Sequence, residues 1–194
     1  MCKFLSDKKV ALLLSGGLDS TALIQYYKDQ GANLHAYFIN YGQENIESEN
    51  LSVEKISEYF NIPLRKINLG YKINKNKFEY IMRNSLFINI IASIIEDDID
   101  IISMGIHSGT AYYDCSKKFI SSIQDILDGY FNGKLNIDVP FIDWGKADIV
   151  RYVVDKCIPI EITYSCEMKS FTPCGTCPSC LDRKRFEDEI KSNL

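Results

Sequence analysis

Short apolar runs alternate along this chain with longer stretches whose apolar residues recur at helical spacing. Residues 10–14 form a strand-length apolar run, and 21–27 carry helical spacing directly after it. The alternation continues with a strand over 34–40, an acidic amphipathic helix over 46–60 that stops before Pro63, and a short strand over 64–69. A polar stretch, 70–77, reads as an exposed loop. Residues 80–96 are strongly apolar and of helix length, which predicts a helix buried against a sheet. A strand over 99–104, a helix over 116–128, an extended segment over 135–142 and a helix over 146–156 follow. The regular alternation predicts an α/β fold with a doubly wound parallel sheet over residues 1–160. A cysteine-bearing tail over 161–194 ends in a charged helix.

The first strand stops at Ser15-Gly16-Gly17-Leu18-Asp19-Ser20, so a glycine pair falls in a strand-to-helix turn. Glycines there let backbone N–H groups approach an anion, and the helix behind them adds its unpaired donors and positive end. Ser15 and Ser20 add hydroxyls, and Asp19 can hold a metal or orient a ribose. A plain capped turn uses the same residue types. A Walker A loop is excluded, because no Lys-Ser or Lys-Thr pair follows the glycines.

At 194 residues and 46% hydrophobic the chain is long enough for one cored domain with a small appendage. A net charge of −4 gives no general attraction to nucleic-acid backbones or anionic membranes. No apolar run approaches bilayer-spanning length, and the first seven residues are too mixed for a secretion signal, which predicts a cytoplasmic location. Seven cysteines are present, and Cys166, Cys174, Cys177 and Cys180 crowd into one stretch. That spacing suits four thiolates on one metal. Zinc is favoured over an iron–sulfur cluster because nothing else in the chain asks for redox chemistry, and a site filled by four thiolates is structural. Cys2 and Cys157 stand alone and read as small buried hydrophobes. Cys115 is assigned to neither class, and His35, inside a strand, reads as structural.

The Ser15–Ser20 hexapeptide resembles the pyrophosphate loop of the ATP pyrophosphatases, which cleave ATP between the α and β phosphates to adenylate a substrate oxygen. Across nearly the whole chain, the order of further motifs resembles the 7-cyano-7-deazaguanine synthases. These are Tyr41-Gly42-Gln43, Arg83-Asn84, Gly105, then Tyr112, Asp114, Cys115 and Phe119 in series, and Lys146-Ala147-Asp148. The tail completes the series with Thr163, Ser165, Cys166, Cys174-Gly175, Cys177, Cys180 and Arg183. The resemblance implies adenylation of the 7-carboxy-7-deazaguanine carboxylate by Mg²⁺-ATP, displacement of AMP by ammonia, and a second adenylation that ends in the nitrile. It also implies a homodimer. Ser15, Gly16, Gly17, Leu18, Asp19 and Ser20 would then hold ATP and pyrophosphate, with Lys146 and Arg83 offsetting phosphate charge. Tyr41, Gln43, Asn84, Gly105, His107, Tyr112 and Asp114 fall to the substrate. Asp114 can read the donor edge of the base or cap a turn. Tyr41 and Gln43 can hold a purine or end a strand. His107 can move a proton or simply brace its loop.

Three departures from that family fall on the substrate side. The segment before Arg83 is short, Ser116 stands where the family has Arg, and Asn45 stands where it has His. A synthase-like enzyme of the antiphage-operon kind, joining a deazaguanine acid to an amine of a partner protein, fits the same residues. Two further classes are a nucleotide sensor without turnover and an RNA-thiolating enzyme. The acidic balance and the commitment of cysteines to metal oppose the last.

Overall fold

The computed structural model describes residues 5–76, 79–96, 98–109, 112–169 and 171–192, with side chains up to 188; Cys2 lies outside them. Five strands form one parallel sheet: β1 (Lys9–Leu13), β2 (Asn33–Asn40), β3 (Leu64–Asn68), β4 (Ile101–Met104) and β5 (Asn136–Asp138). Their order is β3-β2-β1-β4-β5. The chain winds outward from β1 in one direction and then crosses to β4 on the other side. The crevice between the carboxyl ends of β1 and β4 is therefore the topological switch point where ligands of such sheets bind.

Among the described residues six helices cover the faces: α1 (Leu18–Lys28), α2 (Ile46–Phe60), α3 (Arg83–Ile94), α4 (Lys117–Phe131), α5 (Lys146–Asp155) and α6 (Pro178–Ser192). The side-chain period of a strand divides the core into two layers. Val10, Leu12 and Leu14 join Leu23, Ile56, Phe141 and Ile149 on one face. Ala11 and Leu13 join Ile88, Ile91, Ile123 and Leu127 on the other. Because β1 is buried on both sides, its apolar run shows no alternation.

Three expected elements change length. Residues 80–82 stay outside α3 because Met82 has φ 62°, a left-handed backbone that cannot continue a right-handed helix. Within α3 only Asn84, Ile88 and Ile91 are fully buried, so one stripe rather than the whole circumference faces the sheet. The extended segment 135–142 pairs only over Asn136–Asp138, and Pro140 leads it away from the ladder. Conversely, α1 begins at Leu18, ahead of the expected start, with Gly17 as its N-cap. Cys157 is exposed at φ 51° in the turn after α5, and so is not the buried hydrophobe its isolation implied.

One polar network crosses the core. The Tyr27 hydroxyl reaches Ser103 Oγ at 2.9 Å and Asp138 Oδ2 at 2.7 Å, while the Ser103 hydroxyl donates to the Asp138 carbonyl at 2.7 Å. Tyr27 is fully buried, and burial together with the Asp138 charge pushes its phenol far up, so it remains a donor. This network joins α1 to β4 and β5. Tyr27→Phe removes the single phenol proton that Ser103 Oγ and Asp138 Oδ2 share, leaves one acceptor without its donor, and is expected to cost about 1–3 kcal/mol. The check is the urea midpoint at unchanged slope.

Candidate active site

The chain turns from β1 into α1 through Ser15 and the two glycines. Gly16 takes φ 82°, and a Cβ there would lie 3.1 Å from the Ser52 Cβ and 3.2 Å from the Glu49 carbonyl oxygen, so any side chain would strain the turn. Ser20 folds back over the turn: its Oγ lies 3.1 Å from Ser15 Oγ and 3.2 Å from the Ser15 nitrogen, which donates to it. With glycine at the N-cap, no side-chain oxygen blocks the first donors of α1. Gly105, ending β4, comes so close that a Cβ would meet the Asp19 carbonyl carbon at 3.1 Å. The two strand ends thus press the phosphate turn into one position.

Three charged or polar side chains meet over this turn. Lys146, the first residue of α5, places its ammonium 2.6 Å from both carboxylate oxygens of Asp19. The Phe186 ring of α6 lies beneath that ammonium, 5.4 Å from it. His107 Nε2 stands 3.9 Å from Asp19 Oδ2. The Gly109 N–H donates to His107 Nδ1 at 3.0 Å, which leaves the ring proton on Nε2, aimed at the turn. Burial holds the imidazole below its ordinary value, with Lys146 helping and Asp19 opposing, so the ring is neutral at pH 7. The group is suited to donating a hydrogen bond to an anion.

From the turn a cleft of about 930 Å³ runs between α2, α3, residues 105–109 and 112–115, and the tail. This lies within the range of small-molecule sites and has room for a nucleotide beside a second heterocycle. Its far wall is aromatic: Tyr41 meets Tyr80 edge-on at 5.2 Å and Phe87 at 5.3 Å. Burial pushes the Tyr41 phenol up to about 12 against the pull of Arg83. Arg83 lines the same wall, its guanidinium 5.8 Å from the Tyr80 ring centre. Lys75 reaches over that ring at 5.6 Å and pairs with Glu167 of the tail at 3.5 Å, spanning the mouth.

Of the residues singled out in the sequence, Ser15, Gly17, Leu18, Asp19, Ser20, Tyr41, Gln43, Arg83, Asn84, Gly105, His107, Tyr112 and Lys146 line the cleft, and Gly16 lies buried beneath it. Asp114 does not line it. Its Oδ2 accepts the Asn84 N–H at 3.2 Å and its carbonyl accepts Asn84 Nδ2 at 3.1 Å, so it caps the start of α3, the turn-capping role. Gln43 is wholly engaged by the protein: Oε1 accepts the Tyr41 N–H at 2.9 Å and Nε2 donates to Glu49 Oε2 at 2.7 Å. The Cys115 thiol, at the cleft edge, is pushed up to about 11 by burial and by Asp114, and is a poor nucleophile. Sequence reasoning passed over Glu49. An acidic residue on an acidic helix carries no mark of facing inward.

The sulfurs of Cys166, Cys174, Cys177 and Cys180 lie within 4.8 Å of one another. A tetrahedral ion with metal–sulfur bonds near 2.3 Å needs sulfurs about 3.8 Å apart; Cys174 and Cys180 are at 3.9 Å. The Thr176 N–H and hydroxyl, then the Cys177 N–H, bring the Cys174 thiol down to about 6, as suits a ligating thiolate. Burial pushes the Cys180 thiol up to about 12, so loading a metal there releases a proton. The donor set fits a metal.

This centre is tied to the phosphate turn. Tyr164, two residues before Cys166, donates its N–H to the Gly16 carbonyl at 2.8 Å, and the Ser52 hydroxyl bridges the carbonyls of Gly16 and Ile162 at 2.9 and 2.8 Å. Arg183 of α6 binds the carbonyls of Ile160 and Thr163, both at 2.8 Å.

The sequence model for queuosine biosynthesis protein QueC matches residues 9–80 and 71–190. The chain belongs to the QueC family. Curated relatives named 7-cyano-7-deazaguanine synthase include one from Methanosphaerula palustris, 32% identical over 213 aligned positions, covering 94% of this chain and 95% of that protein. Another, from Prochlorococcus marinus, is 30% identical and covers 97% and 98%. Among solved structures, a 4-thiouridine synthetase–RNA complex with bound ATP superposes with a TM-score of 0.57 at 22% identity, over 95% of this chain and 51% of that one. The U34-tRNA thiolase NcsA from Methanococcus maripaludis, with its [4Fe-4S] cluster, gives 0.52 at 15% identity, over 96% and 67%. These two likenesses establish the ATP pyrophosphatase fold. No described helix is long and apolar enough to cross a membrane.

Removal of the metal is expected to loosen the nucleotide site as well as the tail, since Tyr164 joins the two. Stripping with a chelator, or Cys174→Ser, should weaken ATP binding about tenfold by calorimetry and lower the melting temperature. Elemental analysis of the untreated protein should find one zinc per chain and no brown chromophore.

Proposed function

We propose that this chain is an adenylate-forming carbon–nitrogen ligase that converts 7-carboxy-7-deazaguanine to its nitrile with ATP and ammonia. The observation that carries the reading is the side-chain-free N-terminus of α1, ringed by Lys146, Asp19 and His107 and open to a cleft with space for a second ring system. ATP would lie with its phosphates on the 15–20 turn. A carboxylate oxygen of the acid attacks the α phosphorus in line, and pyrophosphate leaves. Lys146 and the His107 Nε2–H hold the negative charge that shifts onto the phosphates. Ammonia then adds to the acyl carbon, and AMP departs with the C–O electron pair. The amide oxygen is adenylated in a second round, and loss of AMP and a proton gives the nitrile.

Mg²⁺ fits this site through Asp19, whose carboxylate Lys146 occupies here; it would supply further charge compensation to the phosphates. Zinc in the four-cysteine centre would be structural, because four sulfurs leave no open position for water. Membership of a family of small-molecule biosynthetic enzymes fits a cytoplasmic location. A homodimer belongs to the same reading, as does the division into a 1–160 nucleotide domain and a 161–194 metal tail.

A second reading keeps the adenylation and changes the amine. Ile81, Met82 and Tyr113, all exposed, adjoin the cleft-lining Arg83 and Tyr112, and an apolar rim of this kind suits a polypeptide amine better than ammonia.

Incubation of the zinc-loaded protein with Mg-ATP, 7-carboxy-7-deazaguanine and ammonium should yield the nitrile by mass spectrometry, with two AMP formed per product. Asp19→Ala and Lys146→Met should each lower pyrophosphate release ~100-fold, the scale of losing one charge-stabilising group. Adenylate or amide without nitrile would move the assignment to conjugation. Substrate-independent, silent ATP binding would leave a sensor.

A further inference from the structure

Among the described residues, Glu49, in the first turns of α2, is the carboxylate placed between the phosphate turn and the aromatic wall. Its backbone packs under Gly16, and its side chain lines the cleft. Oε2 accepts from Gln43 Nε2 at 2.7 Å and Oε1 from Asn45 Nδ2 at 2.9 Å. Neither amide can rotate to present its oxygen instead. Gln43 Oε1 is held by the Tyr41 N–H, and the second Asn45 N–H donates to the Cys166 carbonyl at 2.7 Å. Both carboxylate oxygens are therefore fixed from behind, each with a lone pair left over. Burial pushes the carboxyl up, against the pull of the Arg83 charge. The carboxylate is thus held in one orientation at the cleft with acceptor capacity to spare.

We propose that Glu49 reads the ring of the acid substrate, its two oxygens accepting the adjacent ring N–H and exocyclic amino group of a guanine-type edge stacked on the Tyr41–Tyr80–Phe87 wall. Two neighbouring donors match two fixed acceptors, in the geometry that makes paired hydrogen bonds to a carboxylate strong. The same group sorts the two ring systems that share the cleft. The edge of adenine offers one donor beside a ring-nitrogen acceptor, and that lone pair would face a carboxylate oxygen. Glu49 thus keeps the base of ATP out of the acid's place by repulsion as well as selecting the right ring by attraction. Asp114, the carboxylate the sequence offers for this edge, is committed to the start of α3 and does not line the cleft.

The inference rests on the proposed acid substrate, but binding and turnover test the two separately. Calorimetry on the full-length zinc-loaded protein should give a Kd for 7-carboxy-7-deazaguanine ~10–100-fold below that of its analogue lacking the 2-amino group, the discrimination of one good bidentate pair. In Glu49→Gln, which keeps shape and loses one acceptor, the ratio should fall to within about threefold while ATP affinity is unchanged. Glu49→Asp, which withdraws the charge by one methylene, should give the same collapse if the first variant does not fold. Asp114→Asn should keep the wild-type ratio. A Glu49 variant that weakens both ligands equally would make the residue merely structural and overturn the proposal, as would collapse of the ratio in Asp114→Asn. Discrimination without pyrophosphate release would sink the ligase reading and leave Glu49 as assigned; release without discrimination would do the reverse.

Discussion

Two hydrogen bonds converge on the carbonyl oxygen of Gly16, from the Tyr164 N–H and the Ser52 hydroxyl, and the arrangement of the site hangs on them. A strand-to-helix turn built on glycines has little stiffness of its own, because glycine gives up the most backbone freedom on ordering. Here α2 holds the turn from one side and the tail from the other. The four cysteines gather the tail into one short segment, where a metal would take the place of a hydrophobic core that so few residues cannot build. Cysteine cluster, tail, turn and helix N-terminus form one connected series of contacts.

Charge is arranged around that series with unusual directness. Lys146 and Asp19 lie 127 positions apart in sequence, yet close to 2.6 Å across the mouth of the phosphate site. The pair is partly exposed, so its contribution to folding is modest. Its significance is electrostatic. A carboxylate that satisfies the ammonium keeps a cation in place beside the turn without leaving it unpaired. His107 is suited to the same region for the opposite reason, since a neutral donor stabilises anions without adding charge that must be compensated elsewhere.

How much of this was legible beforehand differs by level. The sheet was, because β1 is buried on both faces and β2 nearly so, and parallel strands of that kind write themselves as unbroken apolar runs. The glycine turn at 15–20 and the clustering of four cysteines were also legible, since each depends on residues close together in sequence. The start of α3 was not. An apolar stretch gives no sign that Met82 takes a left-handed backbone, just ahead of an Asn84 N–H capped by Asp114 from 30 positions further along the chain. Glu49 and Asp114 cannot be told apart in the sequence for a related reason. Both are single carboxylates on polar stretches, and only the three-dimensional choice of neighbours decides which faces the cleft and which is consumed by backbone donors.

The cleft draws its two ends from different parts of the chain. One end is the 15–20 turn, braced by α2 and the tail and flanked by Gly105, His107 and Lys146; the opposite end comes from the segment before α3 and from residues 112–115. Neither of those outer segments carries the sheet's ladder or the metal ligands. Residues can be exchanged in the segment before α3 and over 112–115 without disturbing the 15–20 turn or the cysteine cluster, so changes there carry a low structural cost. A scaffold divided in this way keeps one end of its cleft fixed while the other stays free to vary, so the shape of the cleft can change by a few loop substitutions rather than by rebuilding the fold.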